Sequence, residues 1–177
     1  MTDPQPPEAA PEGFGFWTNQ LTLLGERDPM EVLAATVPAL RAALAGADPD
    51  AWRRPRTEGG WSPVQILGHL LDVEWIFGYR IRTILADEEP RFGGVDQDRW
   101  VTAQRHGDAD PDALLGALEA LRTANLAWWA ERTAEELERT GLHEGAGVQV
   151  SLGLMRRILA GHDLNHLAQV EQALAGA

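Results

Sequence analysis

The chain has 177 residues, enough for one domain with its own hydrophobic core, and a formal net charge of -12 at pH 7. That charge argues against a nucleic-acid partner, whose phosphates call for clustered cations, and against anionic membrane surfaces. Cysteine and lysine are both absent, which excludes disulfides, thiolate nucleophiles, cysteine-ligated zinc and lysine Schiff bases.

Residues 1–14 are rich in proline and acidic side chains and lack the basic start and apolar stretch of a secretory signal. They are expected to be a disordered tail on a cytoplasmic protein, leaving residues 15–177 as the folded domain. No apolar run approaches the roughly 20 residues needed to span a bilayer. Phe14 to Gln20 is aromatic and expected to pack on the domain in a form the pattern does not define.

The first clear helix opens at Asp28-Pro29-Met30-Glu31, with a capping aspartate, a first-turn proline and an acidic residue at the capping-box position. It should end at Gly46, with a kink or early break at Pro38. Ser62-Pro63-Val64-Gln65 opens a second helix reaching Ala86, whose core stripe is Ile66, Leu70, Val73, Phe77, Ile81 and Ile84. Asp110-Pro111 opens a third, to about Glu131. Ser151 opens a fourth, to about Leu174, with His162 and His166 in its stripe. Ser62 and Ser151, the two serines of the chain, both read as helix caps. No alternating strand pattern of convincing length is present.

These helices predict an all-α four-helix bundle. The connection from Asp87 to Ala109 is long for a turn between neighbours, which predicts a crossover that leaves the second and third helices running in the same direction.

His162 and His166 are spaced i, i+4, so their rings leave one helix face about 6 Å apart, a separation that suits two ligands of one metal. His69 lies in the apolar stripe of the second helix, where an uncompensated imidazole would be costly to bury. It sits roughly 10 Å from the start of its helix and the pair roughly 15 Å from the end of theirs, so the rings reach similar heights if these helices are antiparallel. Spacing alone also fits hydrogen-bonded core histidines.

The stretch Gly60-Trp61-Ser62-Pro63-Val64-Gln65-Ile66-Leu67-Gly68-His69-Leu70-Leu71-Asp72-Val73-Glu74, followed by Gly161-His162-Asp163-Leu164-Asn165-His166-Leu167-Ala168-Gln169, resembles the DinB/YfiT-like superfamily. The resemblance implies an up-down-down-up four-helix bundle, a divalent ion, nickel or zinc, on His69, His162 and His166, and a homodimer. It also implies either a metal-dependent hydrolase or a transferase acting on a low-molecular-weight thiol. The alternative is a non-catalytic, stress-associated protein that binds a metal or small ligand. A small-molecule substrate or a thiol cosubstrate is the expected partner.

Other residues are candidates for the surroundings of such a site. Asp72, Asp163 and Asn165 could orient the histidine rings, or could be solvated helix residues. Arg80 could hold an anionic substrate, or pair with Asp96 or Asp98. His143 could approach the metal as a fourth group, while His106 reads as an ordinary loop residue. Trp61, Trp100, Trp128 and Trp129 could line a pocket, although tryptophans at helical spacing are more often core.

Overall fold

The computed structural model describes residues 14–175, so the tail expected at residues 1–14 lies, apart from Phe14, outside the described residues. The elements in order are α1 (Phe14–Leu24), α2 (Pro29–Gly46), α3 (Pro63–Ala86), β1 (Arg91–Phe92), α4 (Gln97–Ala103), α5 (Pro111–Ala130), α6 (Ala134–Leu137), β2 (Thr140–His143), β3 (Val148–Ser151) and α7 (Leu152–Ala175). Short 3-10 turns occupy Ala51–Arg53 and His106–Asp108.

The caps explain the helix starts. Asp28 accepts from the amide of Met30 at 2.6 Å, Gln65 accepts from the amide of Ser62 at 2.9 Å, and Asp110 accepts from that of Asp112 at 3.2 Å. Each satisfies a donor that the first helical turn leaves unpaired. Of the kink or early break expected at Pro38, the break is absent, since α2 runs through it to Gly46. Pro38 is exposed, so the carbonyl it leaves unpaired faces water, while Leu33, Val37 and Leu40 hold the opposite face in the core.

Four long helices, α2, α3, α5 and α7, form the bundle. Side-chain pairs fix their directions. Glu74 meets Arg122 and Arg82 meets Asn125, so α3 and α5 ascend together. His69 lies beside His162, while Ile84 clusters with Leu152 and Met155, so α3 and α7 are antiparallel. Leu33 clusters with Leu159 and Leu40 with Val170, which makes α2 parallel to α7. The order is therefore up, down, down, up, and the crossover predicted between the second and third helices is present.

The crossover is structured. It carries β1 and then α4, whose first turn is capped by Asp96 accepting from the amide of Arg99. β2 and β3 pair antiparallel, and β1 adds to β2 in parallel, giving a three-stranded sheet at the end of the bundle near the start of α7. The residue pattern does not announce this sheet, because its strands are only two to four residues long, too short for alternation to register. Ser151, the last residue of β3, caps α7 by accepting from the amide of Leu154 at 3.1 Å.

α1 lies along α7. Its close approach depends on Gly161, where a Cβ would fall 1.9 Å from the carbonyl oxygen of Gln20. No helix among the described residues is long and apolar enough to cross a membrane.

Candidate metal centre

His69 leaves α3, and His162 and His166 leave α7, into the interior of the bundle, where all three are buried. One nitrogen from each ring lies within 4.8 Å of the others. The Nε2 atoms of His69 and His162 are 3.0 Å apart. Two nitrogens bound to one zinc-like ion at about 2.1 Å would stand about 3.0 to 3.4 Å apart, so this pair already has the separation a shared cation needs.

The protonation states fit the same use. Burial first, then the neighbouring His166 and His106, push His69 down to about 3. Burial and the adjacent histidines also hold His162 well below the usual imidazole range, and burial lowers His166. All three rings are therefore neutral at pH 7 and keep a lone pair for coordination. The Nδ1 atom of His166 lies 2.9 Å from Oε1 of Gln169. An amide oxygen can only accept, so Nδ1 carries the proton and Nε2 is left as the ligand atom. Trp61 covers the cluster, its ring centroid 4.8 Å from that of His69 and stacked 6.2 Å from that of His166.

The other candidates are distributed around this centre. Asp72 is buried but bonds His106 at 2.8 Å and Gln104 at 2.9 Å, not the three clustered rings. His106 is consequently no ordinary loop residue. Its ring rests on Gly68, where a Cβ would come within 2.2 Å of it. Asp163 binds Arg122 at 2.7 Å and acts on His166 only through its charge. Arg122 also binds Glu74 and the carbonyl of Leu33, a buried network without a sequence signal, because nothing local marks an arginine in a helix as buried. Asn165 is half-buried and hydrogen-bonds none of the three.

Arg80 and His143 meet elsewhere. Both line a cavity of about 350 Å³ between α3, α7 and the sheet, and His162 forms part of its wall. Arg80 donates to the carbonyl of Gly93 and does not pair with Asp96 or Asp98. Asp96 is spent on its helix cap. His143 belongs to β2 and lies outside the converging group. A smaller cavity of about 330 Å³ on the other side of the cluster is lined by Trp61, His166 and Gln169. Trp129 is core, as tryptophans at helical spacing usually are, whereas Trp100 is partly exposed.

Comparison with known proteins agrees with this geometry. The sequence profile of the DinB superfamily matches residues 33–170, which includes all three histidines. The chain belongs to the DinB superfamily. It is 25% identical over 132 residues to a "Putative metal-dependent hydrolase" of Bacillus licheniformis, covering 75% of each chain. A protein of the same designation in Geobacillus kaustophilus is 27% identical over 136 residues, 74% of each chain. "Putative metal-dependent hydrolase YfiT" of Bacillus subtilis is 22% identical over 143 residues, 81% of this chain and 80% of that one. The solved structure of YfiT superposes with a TM-score of 0.77 at 20% identity, covering 98% of this chain and 91% of YfiT. TT2238, a four-helix bundle protein, superposes with a TM-score of 0.56 at 22% identity, covering 81% and 95%. At these identities the structural likeness establishes the four-helix-bundle fold and nothing finer.

Proposed function

We propose that this DinB-superfamily protein is a divalent-metal-dependent hydrolase whose ion is held by His69, His162 and His166. The observation that carries the reading is the convergence of three buried, neutral imidazoles beside a cavity with apolar walls. The designation of its relatives as metal-dependent hydrolases supports it. Three protein ligands are the number a catalytic ion uses while keeping a position for water or substrate. Bound there, a divalent ion would supply Lewis acidity and allow water to ionise near neutral pH.

The chain's own residues do the rest. Gln169 orients His166, and Trp61 shields the cluster on one side. Val73, Phe77, Met155 and Ile158 make the cavity wall apolar, which strengthens every charge interaction inside it. No carboxylate lines this cavity among the described residues. The amide of Ala146 is shared between the carbonyl oxygen and Nδ1 of His143, each at 3.1 Å, and in the tautomer whose Nδ1 accepts it the ring proton sits on Nε2.

The test begins with metal content of untagged protein, for wild type and for His69→Ala and His162→Ala. Near one divalent ion per chain is expected in wild type, with loss in both variants. Loaded wild type should hydrolyse activated esters, lose the activity to a chelator and regain it with zinc or nickel. Turnover only when a low-molecular-weight thiol is added would replace this reading with S-transfer. Metal binding without turnover on either panel would leave a non-catalytic metal protein.

A further inference from the structure

Arg80 is a buried cation without a carboxylate partner among the described residues of a chain that carries 27 acidic residues. Its guanidinium lies 5.2 Å from the ring centroid of Phe92 and 5.7 Å from that of Phe77, and among the described residues its hydrogen bond goes to the carbonyl of Gly93. Burial pushes it down to about 10 from an ordinary value of 12.5, so it remains charged at neutral pH. A charge taken from water into an aromatic pocket costs stability unless something compensates it. Cation–π contacts offset part of that cost. The other buried arginine, Arg122, illustrates the fully compensated case, since it binds two carboxylates.

His143 stands in the same cavity wall, close enough to Arg80 that the guanidinium contributes, after burial, to lowering its pKa. In the tautomer whose Nδ1 accepts from the shared amide of Ala146, its neutral ring offers Nε2–H. The cavity therefore holds a guanidinium and an imidazole donor at one end and His162 at the other. Arg80 and His69 are about three turns apart on α3, roughly 16 Å along the axis before the reach of the side chains is counted.

We infer that Arg80 and His143 form an anion subsite, so that the cavity takes a molecule with a carboxylate or phosphate at one end and an apolar body lying between Phe77, Phe92 and Met155. The inference deepens the hydrolase reading by naming its substrate class, and rests on that reading only for the bond broken at the metal end.

Binding separates the two. Calorimetric titration of the zinc-loaded protein would compare 5-phenylvalerate with its uncharged amide, for wild type, Arg80→Gln and Arg80→Lys, with 4-phenylbutyl phosphate as a second anion. Wild type is expected to bind the acid at least tenfold more tightly than the amide. Arg80→Gln should abolish that preference and Arg80→Lys should keep most of it, with metal content unchanged in both. Tighter binding of the phosphate than of the carboxylate would identify the anion the site prefers and sustain the assignment. Equal affinity for acid and amide in wild type, a preference that survives Arg80→Gln, or no binding of any of the three ligands at millimolar concentration would overturn it. These readouts need no turnover, so an inactive protein that still selects the anion would sink the hydrolase proposal and leave the subsite standing.

Discussion

The carbonyl oxygen of Gln20 occupies the space beside Gly161 that any side chain would need, 1.9 Å from where its Cβ would lie. That contact seats α1 against α7 at the residue before His162. The obstacle is backbone, so Gly161→Ala cannot be absorbed by a rotamer change and must displace α1 or shift α7. A loss of about 1–3 kcal/mol is expected, the usual cost of overpacking. Gly116, on the exposed face of α5, has nothing within 4 Å of where an added methyl would lie and is the control. Gly116→Ala should stabilise by about 0.5–1 kcal/mol through helix propensity. Urea denaturation of both variants without metal checks the pair, and equal effects would contradict this account of Gly161.

Gln169 fixes the proton of His166 on Nδ1. Gln169→Ala should leave the bundle folded and lower zinc affinity about 10- to 100-fold, the usual effect of losing a partner that orients a ligating imidazole. Competition titration against a chromophoric chelator measures this. Unchanged affinity would mean that the ring is oriented by packing against Trp61 alone.

Acid should destabilise the metal-free protein earlier than carboxylate titration explains. The folded state holds His69 down to about 3 and keeps His162 and His166 lowered as well, while the unfolded chain protonates its histidines near 6.5. The unfolded state thus binds more protons below pH 6.5. Stability is at its full value above that pH and falls as pH drops toward the folded values, by up to about 1.4 kcal/mol per pH unit for each histidine. Urea midpoints measured with chelator present should be flat from pH 8 to 6.5 and fall steeply from 6.5 to 5. Saturating zinc should move the fall to lower pH, because metal and proton compete for the same nitrogens. A flat profile to pH 5 without metal would contradict the burial of neutral rings.

Arg122 binds Glu74 at 2.9 Å and Asp163 at 2.7 Å in the interior. Arg122→Met would leave two carboxylates buried without their cation, and a loss of about 3–5 kcal/mol is expected. Combining it with Glu74→Gln and Asp163→Asn should recover part of that loss. Thermal and urea unfolding of the single and triple variants decide the point, and a single variant as stable as wild type would contradict the network's role.

Helix starts are legible in the sequence because capping is local. Asp28 and Asp110 accept from amides two residues on, and Gln65 accepts from the amide of Ser62 three residues back. The three histidines are legible because two share a helix face and the third interrupts an apolar stripe. The sheet is not, because strands this short carry no periodicity. Nor is the standing of His106, whose partners, Asp72 and Gly68, lie more than 30 residues away along the chain.

The sequence by itself determined the four long helices through capping and hydrophobic periodicity, indicated the crossover through the length of the Asp87–Ala109 connection, and named the three residues of the candidate centre through its resemblance to the DinB/YfiT-like superfamily, since these signals lie along the chain. Tertiary structure alone decided that Asp163 belongs to Arg122 and Asp72 to His106, and that Arg80 and His143 share one cavity wall with His162. Those assignments depend on which side chains meet across helices, and no local pattern records which polar group a buried charge will find.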